Sequence, residues 1–274
     1  MTERILITGA AGGVGTLMRP RLAAAGRVLR LLDIGELPTG ADGEHVELLT
    51  GSVTDQAAMD AACAGVDAVI HLGGHSLEQP WKDILSVNID GTHTVLEAAR
   101  RNGVKRVILA SSNHAAGYHR RGAEDTPDYA FPRPDTYYGV SKVAVEALGA
   151  LYSDRYGLDV IAVRIGSCFE KPRDVRMLST WLSPDDCARM LEACLATPSP
   201  GYRVIWGVSD NTRRWVSLDE AKALGYQSED DSERFADEVI AEHGMPAPDG
   251  PELNYVGGVW VTSAWDTAVK EATQ

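Results

Sequence analysis

Apolar residues run along this chain in short continuous blocks, each followed by glycine or by a stretch with helical spacing. Arg4-Ile-Leu-Ile-Thr8 is the first block and leads into Gly9, after which Val14 to Ala25 carries helix-forming residues. The alternation recurs, with Arg27 to Asp33, His45 to Leu49 and Ala68 to Leu72 as strands and Gln56 to Ala64 as a helix. Trp81 to Asn102 reads as a long helix with Ile84, Val87, Val95, Leu96 and Ala99 on its apolar positions. The strand Arg106 to Ala110, a helix from Tyr137 to Tyr156 and the strand Val160 to Arg164 complete six strand units. Continuous apolar runs suit strands covered on both faces, and their alternation with helices predicts parallel βαβ units. The expected fold class is therefore α/β, a doubly wound parallel sheet of the Rossmann type.

From Gly166 onward the regularity drops. A helix near Pro184 to Ala196, a short strand Arg203 to Trp206, a helix near Ser232 to Glu242 and a Gly257-Gly258 turn are interspersed with loops. Ligands of such folds gather at the carboxyl ends of the strands, so this last third is expected to cover that crevice. The expected organisation is a dinucleotide-binding core over 1–165, with 166–274 supplying the remaining sheet elements and a substrate-binding cap, not an independent domain.

Composition narrows the function classes. With 26 basic against 39 acidic residues the formal charge is −13, and no basic block compensates, which argues against nucleic acid as a partner. No apolar run approaches the roughly 18 to 20 residues that span a bilayer, and the amino terminus lacks the layout of a signal peptide. A cytoplasmic protein without a membrane partner is expected. Cys63, Cys168, Cys187 and Cys194 show neither CxxC nor metal-ligand spacing, so reduced thiols and no metal are expected.

The chemistry-bearing residues fall at strand ends. Glycines 9, 12 and 15 stand between the first strand and first helix, where they permit a tight turn and close approach of backbone N–H groups to a pyrophosphate. Asp33 ends the second strand, where a carboxylate can accept hydrogen bonds from ribose hydroxyls. With no arginine in the next residues to receive a 2′-phosphate, NAD is expected over NADP. Ser52 and Val53 follow the third strand, Val53 being placed to border the adenine, and Leu72, Gly73 and Gly74 follow the fourth. Tyr138 and Lys142 lie one helical turn apart on one face, and Ser112 ends the fifth strand. A phenol is a poor base near neutrality, but an adjacent ammonium and a positive nicotinamide ring would lower its pKa. Arg176 and Arg173 both lie in a mixed loop where a guanidinium could grip a carboxylate, and the residues alone do not choose between them.

Through TGAAGGVG at 8–15, Asp33, HLGG at 71–74, Asn88-Ile-Asp-Gly-Thr92, SSN at 111–113 and YGVSK at 138–142, residues 3–168 resemble the extended short-chain dehydrogenase/reductase superfamily. The resemblance implies a catalytic trio of Ser112, Tyr138 and Lys142: the tyrosine as acid/base, the lysine on the ribose and the serine on the substrate oxygen. It places Gly9, Gly12, Gly13, Val14, Gly15, Asp33, Ser52, Val53, Leu72, Gly73, Gly74, Asn88, Tyr138, Lys142, Ile165 and Cys168 around NAD. Further segments, among them Gly74-His-Ser76, Ser111 to Tyr118, Arg164 to Cys168, Arg176 to Ser183 and Tyr255 to Gly258, resemble the branch that oxidises D-glucuronate and D-galacturonate to aldarolactones. By that resemblance Ser76, Ser112, Asn113, His114, Tyr138, Ser167 and Arg176 line a site for a small uronic acid, with Arg176 on its carboxylate, and a homo-oligomer is expected. Two rivals remain on sequence: a nucleotide-sugar epimerase or dehydratase with the same trio, and a noncatalytic NAD-sensing regulator on this fold.

Overall fold

The computed structural model describes residues 3–24, 26–40, 43–264 and 266. Ala25, the last residue of the first expected helix, and residues 267–274 of the expected cap lie outside them. Strand β1 (Glu3–Thr8) is followed by α1 (Gly13–Leu22), β2 (Arg27–Asp33), β3 (Val46–Thr50), α2 (Gln56–Cys63) and β4 (Ala68–His71). Next come α3 (Trp81–Asp83), a π-helical stretch Ile84–Asp90 and α4 (Gly91–Arg101), one running into the next, then β5 (Arg106–Ser112), α5 (Tyr137–Tyr156) and β6 (Asp159–Ile165). The remainder holds β7 (Ser167–Cys168), α6 (Met177–Thr180), β8 (Trp181–Leu182), α7 (Pro184–Ala196), β9 (Tyr202–Gly207), α8 (Asp219–Ala223), α9 (Ala236–His243) and α10 (Pro251–Asn254).

Seven strands form one sheet in the order β3-β2-β1-β4-β5-β6-β9, each pair parallel. Successive residues of a strand point to opposite faces, and both faces are covered here. Ile5 and Ile7 of β1 pack with Met18, Leu29, Leu31, Ile70 and Ile108 on one side, while Leu6 packs with Met59, Val69, Val95 and Val107 on the other. The irregular last third shares that core: Cys187, Met190 and Leu191 of α7 and Ile205 and Trp206 of β9 belong to the first cluster.

Two elements differ from the apolar spacing. The long helix after β4 widens into a π-helical stretch that buries Ile84 and Asn88, a change in winding that apolar periodicity does not reveal. The expected helix near 232–242 divides into a 3-10 turn, Ser232–Phe235, and α9. Among the described residues no helix is long and apolar enough to cross a membrane. Because the sheet is parallel, Thr8, Asp33, His71, Ser112 and Ile165 all end at one edge. The strand order reverses between β1 and β4, which is where such folds open a crevice.

Candidate active site

The crevice is built around a close approach of two chains. Gly9 has φ +69°, and a Cβ on it would lie 2.7 Å from the backbone of Leu72 and Gly73, so only glycine fits. At Gly15 a Cβ would lie 2.5 Å from the Gly9 carbonyl oxygen; at Gly13 it would meet nothing within 4 Å. The turn thus brings α1 and its free N–H groups against the end of β1, a cradle that a dinucleotide pyrophosphate fits. Asp33 stands beside it, its carboxylate accepting from Ala11 N at 2.9 Å and Gly35 N at 2.9 Å. Val53 is buried against Gly73, while the Ser52 hydroxyl bonds Thr54 at 2.8 Å.

Beneath the crevice a buried polar chain has a defined direction. Gly73 N donates to Thr8 Oγ1, which meets His71 Nδ1 at 2.7 Å; His71 Nε2 meets Thr92 Oγ1 at 3.1 Å, and Thr92 donates to Asn88 O at 2.6 Å. Each hydroxyl has one proton, so Thr8 donates to Nδ1 and Nε2 donates to Thr92. Burial, with the Lys142 charge nearby, brings the His71 pKa down to about 3, consistent with a neutral ring. Asn88 continues the chain, bonding the backbone of His75 and donating to Ser141 Oγ at 3.0 Å.

Helix α5 carries the central pair. Thr136 caps it by accepting from Gly139 N at 3.0 Å, and Glu78 accepts from Tyr137 N at 3.1 Å and Tyr138 N at 2.7 Å. These caps fix the first turn, and Ser141 ties it further by donating to Tyr138 O at 2.6 Å. The Tyr138 phenol and Ser112 are neighbours, and both are buried. Lys142 Nζ donates to Ala110 O at 2.7 Å and lies 5.4 Å from the Tyr138 ring centroid. In the chain without its cofactor, burial outweighs the adjacent ammonium. Burial pushes Tyr138 up to about 12, with Ser112 offsetting part, and the same burial brings Lys142 down to about 8. A low-dielectric pocket penalises both charged forms, so the lysine alone does not deliver a phenolate.

On the far side, His114 packs edge-on to Tyr138 with ring centroids 5.9 Å apart, and stacks on Trp260 at 3.8 Å. Its Nδ1 is 2.7 Å from Asp135 Oδ2. Arg176 donates to Val256 O at 2.6 Å, and its buried Nε has no partner among the described residues. Such a buried donor costs free energy unless an acceptor reaches it. Arg173, by contrast, is exposed, with its guanidinium 3.7 Å above the Phe169 ring. Geometry therefore separates two arginines that the sequence left level.

The other expected residues divide. Asn113 donates to Val256 O at 2.9 Å, Ser167 Oγ pairs with Thr180 Oγ1 at 3.0 Å, and Cys168 is buried beside Cys187. Ser76 is exposed in the loop after β4, where it neighbours the His75 backbone that Asn88 holds. The residue-by-residue reading did not single out Glu78, Asp135, Val256 or Trp260. An aspartate directly before a threonine helix cap was a usable signal for Asp135; nothing local marks the others.

Comparison with known proteins adds four findings. The profile described as the NAD dependent epimerase/dehydratase family matches residues 5–223. Uronate dehydrogenase of Pseudomonas syringae pv. tomato is 46% identical over 262 residues, covering 95% of this chain and 94% of the relative. Among solved structures, a mutant of uronate dehydrogenase from Agrobacterium tumefaciens complexed with NAD has a TM-score of 0.89 at 39% identity, covering 94% of this chain and 97% of the other. Glucuronic acid dehydrogenase from Chromohalobacter salexigens has a TM-score of 0.90 at 40% identity, covering 95% and 97%.

Proposed function

We infer the reaction from a plain premise: the chain belongs to the NAD dependent epimerase/dehydratase family and, within it, to the uronate dehydrogenases. It is an NAD-dependent oxidoreductase acting on uronates. The glycine turn at 9–15 and Asp33 fit the dinucleotide, and NAD when bound supplies the acceptor for the hydride that leaves C1 of the sugar.

The remaining roles belong to this chain's own side chains. Ser112 and Tyr138 bind the anomeric hydroxyl of the closed sugar ring, and Tyr138 accepts its proton. Lys142, held by Ala110 O against the Tyr138 ring, supplies positive charge that favours the phenolate. Because the ring oxygen stays bonded to C1, oxidation there yields a lactone. Arg176 binds the uronate carboxylate, and the observation that carries this reading is its buried Nε, without a partner among the described residues, close enough for its charge to act on His114. Asn113, just past β5, and Ser167 line the sugar site, held by Val256 O and Thr180 Oγ1.

The test is NADH formation across a panel of glucuronate, galacturonate, glucose and galactose. Rapid oxidation of the acids and slow oxidation of the neutral sugars is expected. Equal rates would remove Arg176 from carboxylate recognition, and no net NADH from any of them would favour an epimerase that retains its cofactor.

A further inference from the structure

The Gly257-Gly258 turn makes room for two side chains of opposite charge. A Cβ on Gly257 or on Gly117 would overlap Asp135 Oδ2, and a Cβ on Gly258 would overlap Arg176 Cδ and Nε. The Asp135 side chain is completely buried, and both of its oxygens are engaged. Oδ1 accepts from Thr136 Oγ1 at 3.1 Å, and Oδ2 lies 2.7 Å from His114 Nδ1. Thr136 in turn accepts from Gly139 N, so its single hydroxyl proton is committed to Asp135. A carboxylate with a hydroxyl proton on one oxygen is left to accept, not donate, at the other. The proton between Asp135 and His114 therefore sits on Nδ1, and the lone pair sits on Nε2.

We propose that Asp135 is a positioning residue for His114, holding the imidazole in the tautomer whose Nε2 accepts a hydrogen bond from a hydroxyl of the bound sugar. The inference rests on the reading that His114 lines the sugar site. Burial, which lowers the His114 pKa, supports a neutral ring. The Trp260 stack and the Asp135 bond leave the ring no freedom to turn. The pocket thus selects a hydroxyl that donates. The same Asp135 sits immediately before the cap of α5, at the positive end of the helix dipole.

Asp135→Asn tests this with a defined direction. Thr136 still needs an acceptor, so the amide oxygen faces Thr136 and the NH2 faces Nδ1, which moves the histidine proton to Nε2. Nitrogen-15 NMR of histidine-labelled full-length protein, with His114 assigned by the His114→Gln spectrum, reads the tautomer without substrate. Nδ1–H is expected in the native protein and Nε2–H in the variant. kcat/KM for galacturonate should fall roughly tenfold or more, since a buried acceptor becomes a donor facing a donor, while NAD affinity is retained. In the His114→Gln background, Asp135→Asn should cost nothing further. Nε2–H in the native protein, native kinetics in Asp135→Asn, or an equal loss in the His114→Gln background would each overturn the proposal. If Asp135→Asn does not fold, the native spectrum decides alone. A native protein that shows the Nδ1–H tautomer but leaves uronates unoxidised overturns the substrate reading instead.

Discussion

The side of this crevice proposed for the cofactor and the side proposed for the sugar are built by different rules. On the cofactor side, Gly9, Asp33 and His71 each stand at the end of a strand, and the parallel sheet aligns those ends without further help. On the sugar side, Arg176 is anchored to Val256, 80 residues away, and Asn113 to the same carbonyl across 143 residues. Repetition of one βαβ unit suffices to cradle a dinucleotide, whereas recognition of a particular sugar needs contacts that only the folded cap brings together. Lesions on the two sides should accordingly separate in kinetics.

The largest effect should come where the sides meet. Tyr138→Phe keeps the ring and removes the proton acceptor, so kcat should fall roughly 10²-fold or more while NAD affinity persists, as steady-state rates and NAD titration would show. A near-native rate in a folded variant would take Tyr138 out of the mechanism. Arg176→Lys should affect the sugar side alone. It keeps the charge but loses the fork, at a cost of about 1.5 to 3 kcal/mol, or roughly 10- to 150-fold in kcat/KM for uronates. KM for NAD should not move; if it rises in parallel, the two sides are not separable.

Asp33→Ala is the complementary lesion. Removing its repulsion of a 2′-phosphate, worth about 1 kcal/mol or more, should narrow the preference for NAD over NADP by roughly fivefold. The ratio of uronate to neutral-sugar turnover should stay as in the native enzyme, and a change in it would blur the distinction. The smallest effect at neutral pH belongs to His71. Its folded-state pKa is about 3 against an ordinary 6.5, so between those values the unfolded chain binds a proton that the fold excludes. Stability is therefore full above about pH 6.5 and falls on acidification by up to ~1.4 kcal/mol per pH unit toward pH 3. His71→Gln should melt lower at pH 7 yet show a flatter fall between pH 6.5 and 4; parallel profiles would remove His71 as the cause.

Much of the cofactor side was legible in residue order. The 9–12–15 glycines, Asp33 at a strand end and the Tyr138–Lys142 spacing are short-range patterns, and the helix at 137–156 follows from its own apolar positions, its Thr136 cap and the Gly157 stop. The electrostatics were less legible, because the Tyr138 pKa depends on how deeply its pocket is buried, which spacing does not encode. The choice of Arg176 over Arg173 was likewise closed to local reasoning: the two differ in whether Gly258 or Phe169 lies beneath them.

Residue order by itself determined the parallel α/β sheet, the glycine turn and the helix that carries Tyr138 and Lys142, since periodicity and turn chemistry act over a few residues. Only the tertiary structure decided that Gly257 clears space for Asp135 and Gly258 for Arg176, that Val256 gathers Asn113 and Arg176, and that Trp260 closes on His114. Those contacts join segments from distant parts of the chain, and they form only because the last third packs into the same core as the sheet it covers.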